Sequence, residues 1–384
     1  MMSYESIIDL ILLGLMSLGI LFKRRVSAPV IVSEDFTHYQ SIDEFVEMIL
    51  YRIFAYEDLL HSHLFDEVVD IYKEWFDPNW NYRKSHEILG SQSGSVTDYQ
   101  MRVTVHYGSG TDSGEHVYLN GKCRVDFGDV RFTAGDKLTL LNYWIENKVD
   151  GDYAVFWVKI PSIPAYPDKT YIYIYYGNPN ATSISSGVNT FVRFDNFNGD
   201  GNIQWTNLTL EYFEGRYVLS RVAGLPDIYG ALPSIDTSII GICLEFTYYH
   251  VSLGAYGPRA LIFIRHSETN NGYMDRNTIG EHATNAYNLF RYYAGSGTVL
   301  YLDGRTFSTG VWYRNYFKRA SDLVEGTMGA STVMGAIDTY INGFDSIVIG
   351  AWDSGNKFYM SFIAVRRSLK FEPTHGGWGE EETK

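Results

Sequence analysis

The chain has 384 residues and a formal net charge of −14, with 31 tyrosines, 22 phenylalanines and 36 glycines but only 20% charged residues. This length allows two or three domains that each bury a core, and the many aromatic residues and glycines favour β-structure. An acidic chain without a basic run argues against nucleic acid as a partner, because phosphate binding needs clustered lysine and arginine.

An uncharged apolar run opens the chain. It spans Leu10–Phe22, reaches back to Ile7 if Asp9 is tolerated, and is followed by the sequence KRR. A cleaved secretory signal carries its positive charge before the apolar region, so a retained membrane anchor fits better than a signal peptide. We therefore expect a membrane helix through residues 7–22, within an anchor and linker of residues 1–33. The alternative is a helix buried in an assembly.

Residues 34–79 predict an acidic amphipathic helical connector. Ser41 and Glu44 form a capping box, apolar residues then recur every three or four positions, and Asp77-Pro78 ends the pattern. Nine acidic residues face only two basic ones between Ser41 and Phe76, which argues against a helix lying on anionic lipid. The apolar stripe either caps the following domain or pairs between copies. We favour pairing, which predicts a homo-oligomer.

Alternating apolar and polar residues dominate residues 98–180. Val103, Val105 and Tyr107 share one face of such a run, and glycine, proline, asparagine and aspartate bound the runs as turns do. The pattern predicts half-buried strands, and we assign residues 80–186 to a first antiparallel β-sandwich.

Several segments of this stretch resemble a known family. The segments TDYQ, DSG, DFGDVRF, YWIE, AVFWVKIP and IYIYYGNPNATS are similar to the domain-of-unknown-function family 2341, over about residues 80–197. This resemblance implies a surface protein of archaea or bacteria, in which the domain stands before a concanavalin-like sandwich. It implies no established reaction.

Short strand-like runs separated by glycine-rich turns continue through residues 187–375. Their order, from FDNFNGD to IGAW and FIAVRR, resembles the concanavalin A-like or laminin-G-like fold of lectins and glucanases. The whole chain is thus predicted to be mainly β, with two tandem antiparallel β-sandwiches of the jelly-roll type after the membrane helix and the acidic helical segment. Residues 376–384 are predicted to be a flexible acidic tail.

One loop suggests a metal site. Four hard oxygen donors lie within eight residues, and calcium takes six to eight such ligands. These predicted ligands are Asp195, Asn198, Asp200 and Asn202. A structural calcium ion is the only cofactor expected, and the alternative is a turn rich in asparagine and aspartate.

A lectin needs aromatic rings beside amides and acids on exposed loops. The residues predicted to bind a ligand on this basis are Tyr256, Asn270, Asn271, Tyr273, Asp275, Arg276, Trp352 and Asp353. The alternative for each of them is a place in the core or on a strand face.

Catalysis is not predicted. Sandwich glucanases carry carboxylates on alternate residues of one strand, which places an acid and a nucleophile about 5 Å apart. This chain has no such run, and Glu245 stands alone in LEFTY, where we interpret it as a single strand-edge charge. The chain is therefore predicted not to be an enzyme.

The predicted role is display of a binding module for glycans or partner proteins. The chain would be anchored in a membrane at the surface of an archaeal cell or virus. The alternative is a structural subunit of a virion or surface assembly, such as a spike or turret, whose main role is self-association. A glycan-cleaving enzyme is the third hypothesis.

Overall fold

The computed structural model describes residues 75–384, except for 208, 215, 222–227, 237–240, 251–258, 266–267, 279–285, 304–309, 328–332, 340, 342 and 352–357. The predicted anchor (1–33) and nearly all of the predicted helical connector (34–79) lie outside the described residues. Within the described part of the chain, no helix has the length and apolar character needed to cross a bilayer. The chain from Glu74 to Lys384 forms one compact unit.

The first half of this unit is built from two sheets. Their strands are β1 (Tyr82–Leu89), β2 (Val96–His106), β3 (His116–Tyr118), β4 (Arg131–Ala134), β5 (Tyr143–Val149), β6 (Tyr153–Ile163), β7 (Lys169–Tyr176), β23 (Thr374–Trp378) and β24 (Glu382–Thr383). Sheet I has the strand order β23-β1-β7-β4 with β24 beside β1, and sheet II has the order β3-β2-β6-β5, in which only β2 and β3 run parallel.

The alternation in the sequence explains the first core. Val103 of β2 lies opposite Phe156 of β6, and both side chains are fully buried between the sheets. Ile172 and Ile174 of β7 fill the same core from sheet I. Tyr175 points to the other face, where it packs with the indoles that precede β1. We call sheets I and II the first sheet pair.

Two larger sheets form the second sheet pair. The elements are α1 (Gly187–Thr190), β8 (Arg193–Asp195), β9 (Gln204–Thr206), β10 (Thr209–Phe213), β11 (Arg216–Arg221), β12 (Ile228–Asp236), β13 (Gly241–His250), β14 (Arg259–Arg265), β15 (Gly272–Thr278), β16 (Ala286–Tyr293), β17 (Ser296–Asp303), β18 (Trp312–Ala320), β19 (Leu323–Thr327), β20 (Val333–Ile337), β21 (Gly343–Ala351) and β22 (Phe358–Ser368). Sheet III has the order β10-β11-β22-β13-β18-β19-β20 with β8 beside β22, and sheet IV has the order β17-β16-β15-β14-β21-β12-β9.

The second core lies between sheets III and IV. Leu244 of β13 and Phe317 of β18 meet Ile264 of β14 and Ile347 of β21 there, and all four are fully buried. Each sheet thus buries one face against its partner, as antiparallel sheets do in layered β-proteins. The chain is mainly β, and its antiparallel sheets are consistent with the β-sandwiches predicted from the sequence.

The C-terminus differs from the prediction of a flexible acidic tail over residues 376–384. Strands β23 and β24 pair with β1 in sheet I. The Trp378 ring stacks on His86 with centroids 3.8 Å apart, and Glu382 accepts a hydrogen bond from Arg83 Nε at 2.9 Å. Glu382 pairs with Arg83 and Glu381 pairs with Lys122, and these cations are too far away in the sequence to be recognised from local composition.

The two sheet pairs pack against each other through sheets II and III. Trp144 of β5 contacts Phe194 and Phe362 of the second pair, with centroids 4.8 Å and 5.1 Å apart. Trp157 of β6 packs with Phe191 in the same cluster. Among the described residues, this cluster covers only part of the outer face of sheet III.

Candidate functional site

The covered part of the outer face of sheet III holds a network of buried charges. Glu245 of β13 forms ion pairs with Arg314 Nη1 at 2.8 Å and with Arg366 Nε at 2.7 Å. Glu146 of β5, in sheet II, accepts from Arg314 Nε at 2.7 Å and from Trp157 Nε1 at 2.7 Å. We call Glu146, Glu245, Arg314 and Arg366 the ion network. It joins the two sheet pairs by charge as well as by packing.

Both carboxylates of the ion network are held in their ionised form. Burial opposes ionisation of Glu245, but the attraction of Arg314 and Arg366 outweighs it and lowers the pKa of this carboxyl to about 2. Burial likewise opposes ionisation of Glu146, and Arg314 again prevails, so its pKa is lowered too. A general acid for glycoside cleavage needs a raised pKa. This pair of carboxylates is therefore suited to holding the sheets together and not to proton donation.

The interpretation of Glu245 as a strand-edge charge is wrong. Strand β13 lies in the middle of sheet III, between β22 and β18, and Glu245 is only 4% exposed. The charge is stable there because Arg366 and Arg314 come from the two flanking strands. A buried carboxylate needs such partners.

The end of the same face that no described strand covers carries four aromatic rings. Tyr249 of β13 lies opposite Trp312 of β18 and Tyr359 of β22, and Phe213 at the end of β10 packs over them. Ring centroids are 4.4 Å apart for Phe213 and Tyr359, 5.0 Å for Phe213 and Tyr249, and 5.3 Å for Tyr249 and Trp312. We call Phe213, Tyr249, Trp312 and Tyr359 the aromatic cluster. Three of the rings are half-buried, whereas Tyr359 is buried beneath Phe213.

Two carboxylates flank the aromatic cluster. Trp312 Nε1 donates to Glu214 Oε2 at 2.7 Å, and the Tyr359 hydroxyl donates to Glu211 Oε2 at 3.0 Å. Both acids belong to the hairpin of β10 and β11, on either side of Phe213 in the sequence EYFE. Because these bonds fix two of the rings, the surface is held in one arrangement before any ligand binds. Preorganisation of this kind lowers the entropic cost of binding.

The arrangement suits a ligand with both apolar and hydroxylated sides. Half-buried aromatic rings offer flat apolar area together with a polar edge. Glu214 is exposed at the rim of the aromatic cluster. A carboxylate has about four acceptor sites, so the bond from Trp312 leaves Glu214 able to accept from a ligand hydroxyl.

The predicted ligand-binding residues are divided between two places. Tyr256, Trp352 and Asp353 lie outside the described residues. The described strands nearest to them in sequence are β14, which follows Tyr256, and β21, which precedes Trp352, and both belong to sheet IV.

The other predicted ligand-binding residues belong to sheet IV, away from the aromatic cluster. Asn270 and Asn271 form the turn before β15, where Asn271 Oδ1 accepts from the Ala294 amide at 2.9 Å. Tyr273 is fully buried in the second core, and its hydroxyl donates to Asp338 at 2.6 Å. Asp275 and Arg276 follow in β15. The structure thus does not bring this group together with the rings of sheet III, and ligand binding by these residues stays a prediction.

Sheet IV also has a shallow groove of about 460 Å³. Its lining residues include Gln204, Thr206, Gly230, Arg265, Asp345 and Ser346. Arg265 donates a hydrogen bond to Asn270, which places one predicted ligand-binding residue beside the groove. Leu232 also lines the groove, but none of the described lining residues is aromatic, so the groove lacks the flat ring surface that the aromatic cluster offers.

The predicted calcium ligands form a turn closed by their own hydrogen bonds. Asp195 accepts from the Phe197 amide at 2.7 Å and from Trp205 Nε1 at 2.7 Å. The Phe194 backbone amide donates to Asn202 Oδ1 at 2.8 Å, and the Gly187 backbone amide donates to Asp200 Oδ2 at 3.0 Å. The Asn198 backbone amide donates to Asn196 Oδ1 within the same turn.

These bonds match the alternative of a turn rich in asparagine and aspartate. The described residues contain no group of three or more histidine, cysteine, aspartate or glutamate side chains placed to hold a metal ion. Calcium binding stays a prediction.

The aromatic cluster was not predicted from the sequence, because binding residues were expected on loops and its rings lie on strands. The available signal was the run EYFE, in which two acids bracket aromatic residues at a strand end before glycine. The pairing of that hairpin with rings in β13, β18 and β22 follows from strand order, which the sequence does not state.

Comparison with known proteins gives one family match. The model of a domain of unknown function, DUF2341, matches residues 126–208. The match starts and ends later than the resemblance over about residues 80–197. No curated protein sequence matches the chain.

Solved structures that match part of the chain include three carbohydrate-binding proteins. The carbohydrate binding module CBM66 from Bacillus subtilis has 14% identity and a TM-score of 0.34, covering 43% of this chain and 97% of that one. The potassium-bound carbohydrate recognition domain of Emp46p has 12% identity and a TM-score of 0.37, covering 46% and 96%. Lectin I from Ulex europaeus has 9% identity and a TM-score of 0.36, also covering 46% and 96%.

Proposed function

We propose that the chain binds glycans through the aromatic cluster of sheet III. The observation that carries this proposal is the meeting of four aromatic rings and two carboxylates on the part of the outer face of sheet III that no described strand covers. The C–H face of a sugar ring stacks on Trp312 and Tyr249, and sugar hydroxyls donate to Glu214. Such sites combine apolar area with a few fixed polar groups, which is how proteins orient small ligands.

The ligand of this proposal is a neutral glycan. Glu211 and Glu214 border the rings, and the chain as a whole has a net charge of −14. The carboxylate of a uronic or sialic acid would be repelled by these two glutamates and by the net negative charge of the chain, which would weaken its binding. Neutral sugars meet no such penalty.

The proposal places the binding face on a surface-displayed, non-enzymatic protein. The apolar run before KRR supports attachment to the membrane of a cell or virion through residues 7–22. The ionised and buried state of Glu146 and Glu245 supports a role without catalysis.

A glycan array with the full chain in detergent tests this function, with and without calcium. We expect binding to neutral oligosaccharides, and we expect Trp312→Ala to weaken it at least about tenfold because a central aromatic contact is removed. Tyr171→Ala, which removes an exposed tyrosine of sheet I, is the matched control and should leave affinity unchanged.

Absence of binding to every neutral glycan would overturn the proposal. Equal losses in the Trp312 and Tyr171 variants would do the same, because binding would then not depend on the aromatic cluster. A strict requirement for calcium would connect binding to the predicted ligands around Asp195.

A further inference from the structure

Two neighbouring sheet edges on one side of the second sheet pair are apolar. Strand β17 is the edge of sheet IV, and strand β20 is the adjacent edge of sheet III. Val299 and Leu302 of β17 are 51% and 62% exposed, and Ile337 of β20 is 62% exposed. Large apolar side chains exposed together on one edge indicate a contact surface.

The outer edge of β17 can form backbone hydrogen bonds with a further strand. Among the described residues, β17 pairs with β16 on one side and has no strand on the other. An edge of this kind presents a row of amide donors and carbonyl acceptors that another strand can satisfy. The partner that fits is therefore an extended strand with apolar side chains.

Four other edge strands of the described sheets are protected in ways that β17 is not. Charges interrupt β10 (Glu211) and β5 (Glu146 and Lys148), and β9 and β3 have only three residues each. Charged side chains and short length are the usual protection against edge pairing. Strand β17 has eight residues with no charge before Asp303, and β20 has none.

We infer that β17 pairs with β17 of a second copy of this chain, in an antiparallel contact about a two-fold axis. A second copy supplies the same open strand, so one contact satisfies both edges at once. Two chains with a net charge of −14 each repel one another over most of their surface. A charge-free edge is where that repulsion is weakest and apolar burial is strongest.

The dimer would leave the aromatic cluster open. In sheet III, β20 lies at one edge, whereas β10, which carries Phe213, lies at the other. Each dimer would thus present two copies of the aromatic cluster, and a multivalent glycan surface would be bound with avidity. The pairing itself does not depend on glycan binding.

Sedimentation velocity of the full chain in detergent, over a range of concentrations, tests the inference. We expect a dimer for the native chain, and a dissociation constant raised at least tenfold by Val299→Lys and by Leu302→Lys. Leu210→Lys is the matched control because Leu210 is an exposed apolar residue on the opposite edge, in β10. This variant should dimerise like the native chain.

A native chain that stays monomeric at every concentration would overturn the inference, as would unchanged association of both β17 variants, since the contact would then lie elsewhere. Hydrogen exchange on the native chain provides a check that needs no variant. The β17 amides should exchange more slowly at high than at low protein concentration, and equal rates at both would also overturn the inference.

Discussion

At the scale of single residues, the most informative side chain is Glu245. It is buried among three strands and is held by two guanidinium groups, one of which also binds Glu146 of the other sheet pair. Burial of charges is unfavourable unless each is paired, and removal of one member exposes that penalty in full. The residue therefore has a large effect on stability although it lines no cleft.

We expect Glu245→Gln to lower the free energy of unfolding by about 3–5 kcal/mol, because Arg314 and Arg366 would be left without their shared counter-charge. Urea denaturation monitored by tryptophan fluorescence measures the change. Asp150→Asn breaks an exposed pair with Lys148 and should change stability by less than about 1 kcal/mol. Similar effects of the two substitutions would contradict the structural role of Glu245.

The same carboxylate predicts a pH dependence. Its pKa is lowered from an ordinary value of 4.5 to about 2, so its stabilising contribution is complete above pH 4.5 and is lost as the pH falls towards 2. Stability curves of the native chain and of Glu245→Gln should therefore converge over that interval. Curves that stay parallel from pH 5 to pH 2 would show that Glu245 is not ionised in the fold.

Residue-level prediction from the sequence succeeded where local pattern decides. The alternation around Val103 and Val105 correctly predicts which side chains face the first core. It fails for Glu245, because the arginines that stabilise this charge come from strands distant in sequence. The prediction for Asp195 stays open, since the residues around it fit both a metal-binding loop and a turn rich in asparagine and aspartate.

At the scale of single elements, β23 closes sheet I from the far end of the chain. Its Trp378 stacks on His86, which is fully buried, and Trp378 Nε1 donates to the Gly114 carbonyl at 3.0 Å. Burial lowers the pKa of His86 to about 3, with a smaller contribution from the neighbouring His375, so the stacked imidazole is neutral at ordinary pH. The C-terminal strand is thus part of the first fold and not an appendage.

We expect Trp378→Ala to destabilise the chain by about 3 kcal/mol, the lower end of the range for tryptophan in a core, because Trp378 is only partly buried. Hydrogen exchange should show faster exchange of the β1 amides opposite β23. Phe371→Ala removes an exposed ring just before β23 and is the control, with an effect of less than about 1 kcal/mol. Unchanged exchange in β1 would contradict this role of the strand.

The sequence predicts which segments form strands but not which strands lie side by side in a sheet. The period-two pattern and the turn residues correctly indicate a mainly β chain, because both depend on residues close in sequence. Which strand becomes an edge depends on pairing across long loops. The open edge at β17, the joining of β23 to β1 and the hairpin that completes the aromatic cluster therefore all required the structure.

At the scale of the whole molecule, the two sheet pairs share an interface with both packing and charge. The contacts of Trp144 with Phe194 and Phe362 exclude water, and the bonds from Glu146 to Arg314 fix the relative orientation of sheets II and III. Neither core includes Trp144, so the interface can be weakened without damage to either one. Two domains coupled this strongly should unfold together.

We expect calorimetry of the native chain to show one transition for residues 74–384, and Trp144→Ala to divide it into two. The substitution removes the central ring of the interface, so each sheet pair would then unfold at the temperature set by its own core. Val149→Ala, at an exposed position of the same strand, is the control and should keep one transition. Two transitions in the native chain, or one in the Trp144 variant, would show that the contact does not couple the halves. The aromatic cluster would then sit on a domain free to move relative to the first sheet pair, and its orientation towards a glycan surface would not be fixed by sheet II.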